Sequence, residues 1–128
     1  MAIMEDRKVP ANVSTPESDP CYAAAEEGKF MIRRCTSCKK AHWYPRAVCP
    51  FCFGDTEWEQ ASGEGTIYSH STMYRANFTI AYVTLKEGPT MLTNIIKADP
   101  ATLKIGQKVK VALVQTDGGN KVPCFEPA

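Results

Sequence analysis

Cys35-Thr36-Ser37-Cys38 and, ten residues further on, Cys49-Pro50-Phe51-Cys52 are the residues whose type and spacing point most directly to chemistry. A two-residue gap lets both sulfurs of a pair face one point, with backbone N–H groups close by to soften the thiolate charge. Two such pairs supply four soft donors in tetrahedral array, which suits zinc best and iron second. One pair alone would also read as a redox dithiol, whereas two in register read as a single metal centre. The gap between the pairs is shorter than in many zinc ribbons, yet a hairpin fits within it. Protein fills all four positions, so no place is left for water or substrate, and the metal is expected to be structural.

Other chemistry is scarce. The sequence holds no G-x-S-x-G, no P-loop and no H-E-x-x-H. Its histidines, His42 and His70, sit beside no evident nucleophile, and His42 is expected at the surface once four cysteines complete the metal shell. Glu57, Glu59 and Glu64 are expected to face water, and no residue is assigned to catalysis. Ser69, His70, Ser71 and Thr72 read as a ligand groove or, more simply, as the solvent face of a strand. Cys21 and Cys124 read as free thiols.

The net charge of +1 conceals a segregated distribution. Residues 1–28 carry six acidic and two basic side chains, while residues 29–53 carry Lys29, Arg33, Arg34, Lys39, Lys40 and Arg46 and no carboxylate. Such a basic knuckle suits phosphate, in nucleic acid or coenzyme A, or an acidic protein partner. The plainer alternative is a solvated face that offsets the charge of about −2 on a zinc tetrathiolate. A hydrophobic content of 44% and a charged content of 23% are those of an ordinary soluble chain. MAIMEDRKVP lacks the apolar run of a signal peptide, and no segment is long and apolar enough to span a membrane. With four cysteines given to a metal, these features lead us to expect a reducing cytoplasm.

Short elements must position these groups. Residues 1–15 read as a loose arm. Asp19 then caps a helix with Pro20 at its first position, Ala23-Ala24-Ala25 inside it and Gly28 to stop it. Two turns are marginal alone, so Tyr22 and Phe30 are expected to pin the helix to this chain or to another protein. Phe30–Arg34 reads as a strand entering the first knuckle. Trp43 and Tyr44 cover the hairpin above the metal, as a tiny core or as a platform for a base or adenine ring. From Thr56 the pattern becomes short strands with turn punctuation. Thr66–Tyr74 alternates, with Ile67, Ser69, Ser71 and Met73 on one side and Tyr68, His70, Thr72 and Tyr74 on the other. Strands over 79–85 and 91–96 flank the turn Lys86-Glu87-Gly88-Pro89, and a short turn or helix runs from Asp99 to Gly106. Val109, Val111 and Leu113 alternate with Lys108, Lys110 and Ala112; Asp117-Gly118-Gly119-Asn120 then turns into a last strand, Val122–Phe125. Five strands with an insert before the fourth fit an OB-type barrel, with an SH3-like barrel as the alternative. The expected fold is mainly β: an arm and short helix (1–28), a rubredoxin-like zinc ribbon (29–55) and a five-stranded OB-fold barrel (56–128).

Arg34-Cys35-x-x-Cys38, followed by Pro45-Arg46-x-x-Cys49-Pro50-x-Cys52, resembles the acyl-CoA-associated zinc-ribbon/OB-fold family, long catalogued as a domain of unknown function. The resemblance runs on through residues 22–29, 81–89 and 103–109 and the ending Pro123-Cys124-Phe125, so it covers nearly everything after residue 16. It implies a small non-catalytic subunit bound to an acyl-CoA enzyme, chiefly a thiolase-like one and sometimes a hydratase or retro-aldolase. Such a subunit helps hold its partner together and helps bind the CoA chain. On this basis Cys35, Cys38, Cys49 and Cys52 are expected to hold one zinc, and Arg33, Arg34, Lys39, Lys40 and Arg46 to meet CoA phosphates. Tyr22, Phe30, Trp43 and Tyr44, with the helix at 20–27, are expected to form the docking surface, and the nucleophile to belong to the partner. Two departures stand out: Tyr44 and Lys39 replace the Pro and Gly common in the family, and Ala76-Asn77-Phe78 stands where relatives often carry proline. Two other classes stay open. A single-stranded nucleic-acid module is favoured by the basic ribbon and disfavoured by the charge-balanced barrel, and a rubredoxin-like electron carrier follows if iron takes the four cysteines.

Overall fold

The computed structural model describes residues 15–76, 78–117 and 121–128. The expected arm, except for Thr15, the glycine tip of the Asp117–Asn120 turn and the middle of Ala76-Asn77-Phe78 lie outside the described residues. Among the described residues one α-helix leads into a three-stranded sheet and then a closed five-stranded barrel.

Helix α1 spans Asp19–Glu26, with Ser18 rather than Asp19 at the N-cap. Its Ser18 hydroxyl is turned back to that of Thr15, 2.8 Å away, and Pro20 occupies the first turn, where its missing N–H costs nothing. The helix stops as the sequence implies. Gly28 takes φ +83°, its N–H donates to the Ala25 carbonyl, and the Lys29 N–H donates to the Ala24 carbonyl, both at 3.0 Å. That paired closure satisfies two terminal carbonyls and needs a left-handed residue at Gly28. The buried face of α1 is Cys21 and Ala25, and the Glu26 carboxylate accepts the Lys121 N–H at 2.9 Å.

Strands β1 (Met31–Cys35), β2 (Ala41–His42) and β3 (Thr56–Gln60) form an antiparallel sheet in the order β2-β1-β3. This ribbon sheet takes in residues 56–60, which the sequence reading had placed with the barrel. Those residues pair with β1 from Met31↔Gln60 to Cys35↔Thr56. The barrel is built from β4 (Glu64–Met73), β5 (Phe78–Leu85), β6 (Thr90–Ile95), β7 (Lys108–Gln115) and β8 (Lys121–Pro127). It closes in the order β4-β5-β6-β8-β7, antiparallel except where β6 and β8 run parallel at Ile95↔Phe125, with a 3₁₀ turn at Pro100–Thr102 before β7. This bears out the OB-type architecture.

One expectation fails inside β4. A register shift between Ile67 and Ser69 leaves Tyr68 as an extra residue, so the inward face changes sides at the bulge. Ile67 pairs with buried Val83, but beyond the bulge His70 and Thr72 pair with buried Ala81 and Thr79. Ile67 therefore shares its face with His70 and Thr72, not with Ser69 and Ser71, and the Thr72 and Thr79 hydroxyls meet at 3.0 Å. A single apolar cluster unites the two sheets. Phe30, Ile32 and Ala41 from the ribbon side join Ile67, Val83, Leu85, Met91, Ile95, Leu103, Val109 and Phe125 from the barrel.

Gly63 sits on the link between the sheets with φ +83°, and a Cβ there would lie 2.5 Å from Val111 Cγ1. Its carbonyl also accepts the Val111 N–H at 2.7 Å, so the approach is fixed. Gly63→Ala is therefore expected to destabilise the protein by ~2–4 kcal/mol, combining left-handed strain with overpacking. Urea unfolding of the zinc-loaded protein measures this, and a midpoint equal to wild type would refute it.

Candidate metal centre and its surroundings

β1 delivers Cys35 to the first knuckle, whose backbone folds over its own sulfur. The N–H groups of Ser37 and Cys38 both donate to Cys35 Sγ at 3.3 Å, and the Phe51 N–H donates to Cys49 Sγ at 3.4 Å in the second knuckle. Cys35 and Cys49 are buried, Cys38 half-buried and Cys52 exposed. The four sulfurs all lie within 4.8 Å of one another, with Cys35–Cys52 at 3.5 Å and Cys38–Cys49 at 3.7 Å. A zinc tetrathiolate with bonds of ~2.3 Å has tetrahedral edges of ~3.8 Å, so the donor set fits. The Cys38 backbone N–H, aided by that of Ser37, draws the Cys35 thiol down to about 6 against the opposing effect of burial. A lowered thiol favours ligation as thiolate, while the thiol of Cys52 across the site is pushed up to about 11. Gly54 permits the two knuckles to meet, since a Cβ there would stand 3.0 Å from Ser37 Oγ and 3.3 Å from Cys35 Sγ. Lys39 and Phe53, each just past the second cysteine of a knuckle, take φ values of 66° and 63°. Lys39 thus adopts the left-handed conformation a glycine would supply.

The basic residues divide into two groups. Arg33 donates through Nε and Nη2 to the Thr56 hydroxyl and carbonyl at 3.0 and 2.9 Å and stacks on Trp58 at 4.7 Å. Arg34 reaches the Glu59 carboxylate at 2.9–3.1 Å and the Lys39 carbonyl at 2.7 Å. These two arginines hold the ribbon together, and Arg34 also lines the groove beside Lys39 and Lys40. Glu59, expected to face water, is half-buried as the partner of Arg34. Lys39, Lys40 and Arg46 are exposed. Lys39 and Lys40 line a groove of about 510 Å³ with Phe51, closed on its far side by the β5–β6 turn at Glu87–Thr90. Lys40 Nζ lies 5.2 Å from the Phe51 ring centre.

The four aromatic residues expected to dock a partner also pack within the chain, with Tyr44 left 36% exposed. Phe30 is 4% exposed and packs against Trp43 at 5.6 Å and, edge-on, against Phe125 at 6.1 Å. Trp43 meets Tyr44 at 5.7 Å, and Tyr44 hydrogen-bonds Tyr22, whose ionisation is pushed up first by burial and then by that bond. A two-turn helix needs such tertiary anchorage, and these rings supply it. Phe30 is thus part of the core, and Trp43 is half-buried beside it. His42 is buried too, not at the surface, and burial lowers its pKa below the usual imidazole value. Sequence reasoning missed Thr56, which accepts from Arg33 and donates to the Arg46 carbonyl at 2.7 Å, fastening the inter-knuckle loop. No local pattern marks it, because its partners lie 10 and 23 residues away.

Comparison with known proteins follows the same division. Residues 23–59 match the rubredoxin-like zinc ribbon domain of ChsH2, and residues 58–114 match its C-terminal OB-fold domain. The chain is 29% identical over 116 residues to a probable enoyl-CoA hydratase alpha subunit of Thermomonospora curvata, covering 84% of this chain but only 36% of that protein. It is also 29% identical over 101 residues to a DUF35 domain-containing scaffold protein of Methanocaldococcus jannaschii, covering 70% of this chain and 72% of the relative. Among solved structures it superposes on a chain of the Ltp2-ChsH2(DUF35) aldolase with a TM-score of 0.77 and 26% identity, over 91% of this chain and 98% of the other. With the two adjoining ChsH2 domains matched in order and the four-thiol ribbon and closed barrel in place, the chain belongs to the ChsH2/DUF35 family of zinc-ribbon/OB-fold proteins.

Proposed function

We propose that this chain is a non-catalytic accessory subunit of a cytoplasmic acyl-CoA-processing complex, with one structural zinc on Cys35, Cys38, Cys49 and Cys52. When bound, the zinc supplies folding free energy to a ribbon too small to hold itself. The observation that carries the proposal is the likeness over 98% of a chain in an aldolase that pairs two named components. That enzyme's name denotes C–C bond cleavage, whereas the hydratase subunit is matched over only about a third of its length. On the sequence resemblance we favour a thiolase-type partner acting on a 3-oxoacyl-CoA; the aldolase likeness supports only the C–C bond chemistry of such a partner. The chain's own residues support a passive role. Burial pushes the Cys21 thiol up to about 11, and its Sγ–H donates to the Met31 carbonyl, the reverse of an activated nucleophile. In the groove beside the ribbon, Lys39 and Lys40 offer charge for CoA phosphates and Phe51 a face for adenine, with Arg46 exposed on the same ribbon. Among the described residues no helix is long and apolar enough to cross a membrane.

The test is co-expression with the acyl-CoA enzyme that co-purifies with the chain. Omission of this subunit is expected to lower 3-oxoacyl-CoA cleavage or condensation by ~100-fold, the loss a misassembled active site shows. Full activity of the partner alone, turnover by this chain alone, or tight oligonucleotide binding indifferent to acyl-CoA would each overturn the proposal.

A further inference from the structure

The tip of the second knuckle carries apolar side chains that the fold does not use. Phe53 is 82% exposed, Phe51 58% and Val48 50%. Phe53 is the most telling, because it holds φ 63° in a place where only glycine is free of strain. The backbone requires that conformation, since the Phe53 N–H returns to the Cys49 carbonyl at 2.9 Å and the Cys49 N–H donates to the Gly54 carbonyl at 2.9 Å. The phenyl ring therefore stands in solvent at the expense of the knuckle's own stability. Strain of this kind persists where a site needs it.

The surroundings of the tip identify what would cover it. Lys39 and Lys40 line the groove beside Phe51, with Lys40 Nζ 5.2 Å from its ring, Arg46 is exposed on the same ribbon, and no carboxylate occurs between residues 29 and 53; Asp55, opposite Val48 in register, is the first. An apolar tip with cations beside it is complementary to an apolar pocket rimmed by carboxylates. We propose that Phe53, flanked by Val48, is the anchor by which this subunit docks into an acid-rimmed apolar pocket of its acyl-CoA enzyme. This proposal rests on the accessory-subunit reading, and it places the anchor at the tip of the second knuckle rather than at Tyr22, Phe30, Trp43 and Tyr44.

The anchor separates from a structural role by the sign of its effect on stability. Phe53→Gly is expected to leave zinc content unchanged and the melting temperature of the free chain equal or higher, because the left-handed strain is relieved. The same substitution is expected to weaken binding to the co-purifying acyl-CoA enzyme by ~30-fold or more, the loss a buried aromatic anchor shows. Phe53→Tyr keeps the ring and is expected to keep the affinity, and Phe53→Asn, which also tolerates the left-handed region, repeats the test without added backbone freedom. Loss of zinc in both Phe53→Gly and Phe53→Asn would assign the ring to folding and overturn the proposal. Undiminished binding by these variants, where wild type binds, would overturn it while leaving the accessory-subunit reading intact. If no acyl-CoA enzyme binds wild type, both fall together. Phe53-dependent sedimentation with phosphatidylserine-containing vesicles, or a Phe53-dependent dimer in analytical ultracentrifugation, would reassign the prong to a membrane or to a second copy.

Discussion

Replacing Cys49 with serine is expected to strip the metal from the protein and to unfold the ribbon with it. Cys49 is buried, its sulfur lies 3.7 Å from that of Cys38, and its backbone is tied on both sides, to Gly54 and to Phe53. A serine hydroxyl stays protonated near neutral pH and cannot replace a thiolate donor. Structural zinc contributes an apparent ~10–16 kcal/mol to small ribbons, comparable to or larger than the whole stability of a domain this size. The loss should not stop at the knuckles. Ile32 and Phe30 lead into Cys35 and belong to the same apolar cluster as the barrel residues, so a melted ribbon uncovers the barrel's end. Metal analysis after gel filtration and near-ultraviolet circular dichroism from Trp43 and Trp58 report the two consequences. Full zinc occupancy in the variant would remove Cys49 from the ligand set.

What could be read from the sequence was what is encoded locally. The knuckles depend on spacings of two residues, the helix stop on a single glycine, and the β5 and β6 strands on an apolar run either side of Glu87-Gly88-Pro89. Each is decided within a few residues, and each stands where the spacing put it. The failures share one cause, which is dependence on a distant partner. The bulge at Tyr68 reverses the inward face of β4, and nothing in an alternating run announces an extra residue. Arg34 and Glu59 find each other across a register set by β1 and β3, so two apparently solvated charges become a ribbon clasp. Phe30, Trp43 and His42 carry the composition of a recognition surface, but the short helix and two-residue β2 need cover, and they turn inward to give it. Phe53 shows the reverse: no local signal singles it out, and its left-handed φ of 63° becomes visible only with the backbone.

Phe125→Ala is expected to be the most damaging change outside the metal centre. The ring is fully buried, and its residue stands where the barrel closes, paired with Ile95 in the parallel β6–β8 contact and with Val111 in β7. Its carbonyl accepts the Ile96 N–H at 2.8 Å, so the strand is held in place and cannot slide to fill a void. On the ribbon side the Phe30 ring meets it edge-on at 81°, one of the contacts through which helix and ribbon rest on the barrel. Truncating a buried phenylalanine costs ~3–5 kcal/mol through lost transfer free energy and the cavity left behind. For a chain of this size that lowers the melting temperature by on the order of 10–20 °C. Zinc is expected to remain bound, because no ligand touches the cavity, which sets this variant apart from Cys49→Ser. A double-mutant cycle with Phe30→Ala isolates the ring pair, with a coupling of ~0.5–1.5 kcal/mol expected. Independent, additive losses would mean that the ribbon rests on the barrel through other contacts, and a Phe125→Ala protein within ~1 kcal/mol of wild type would refute the shared core itself.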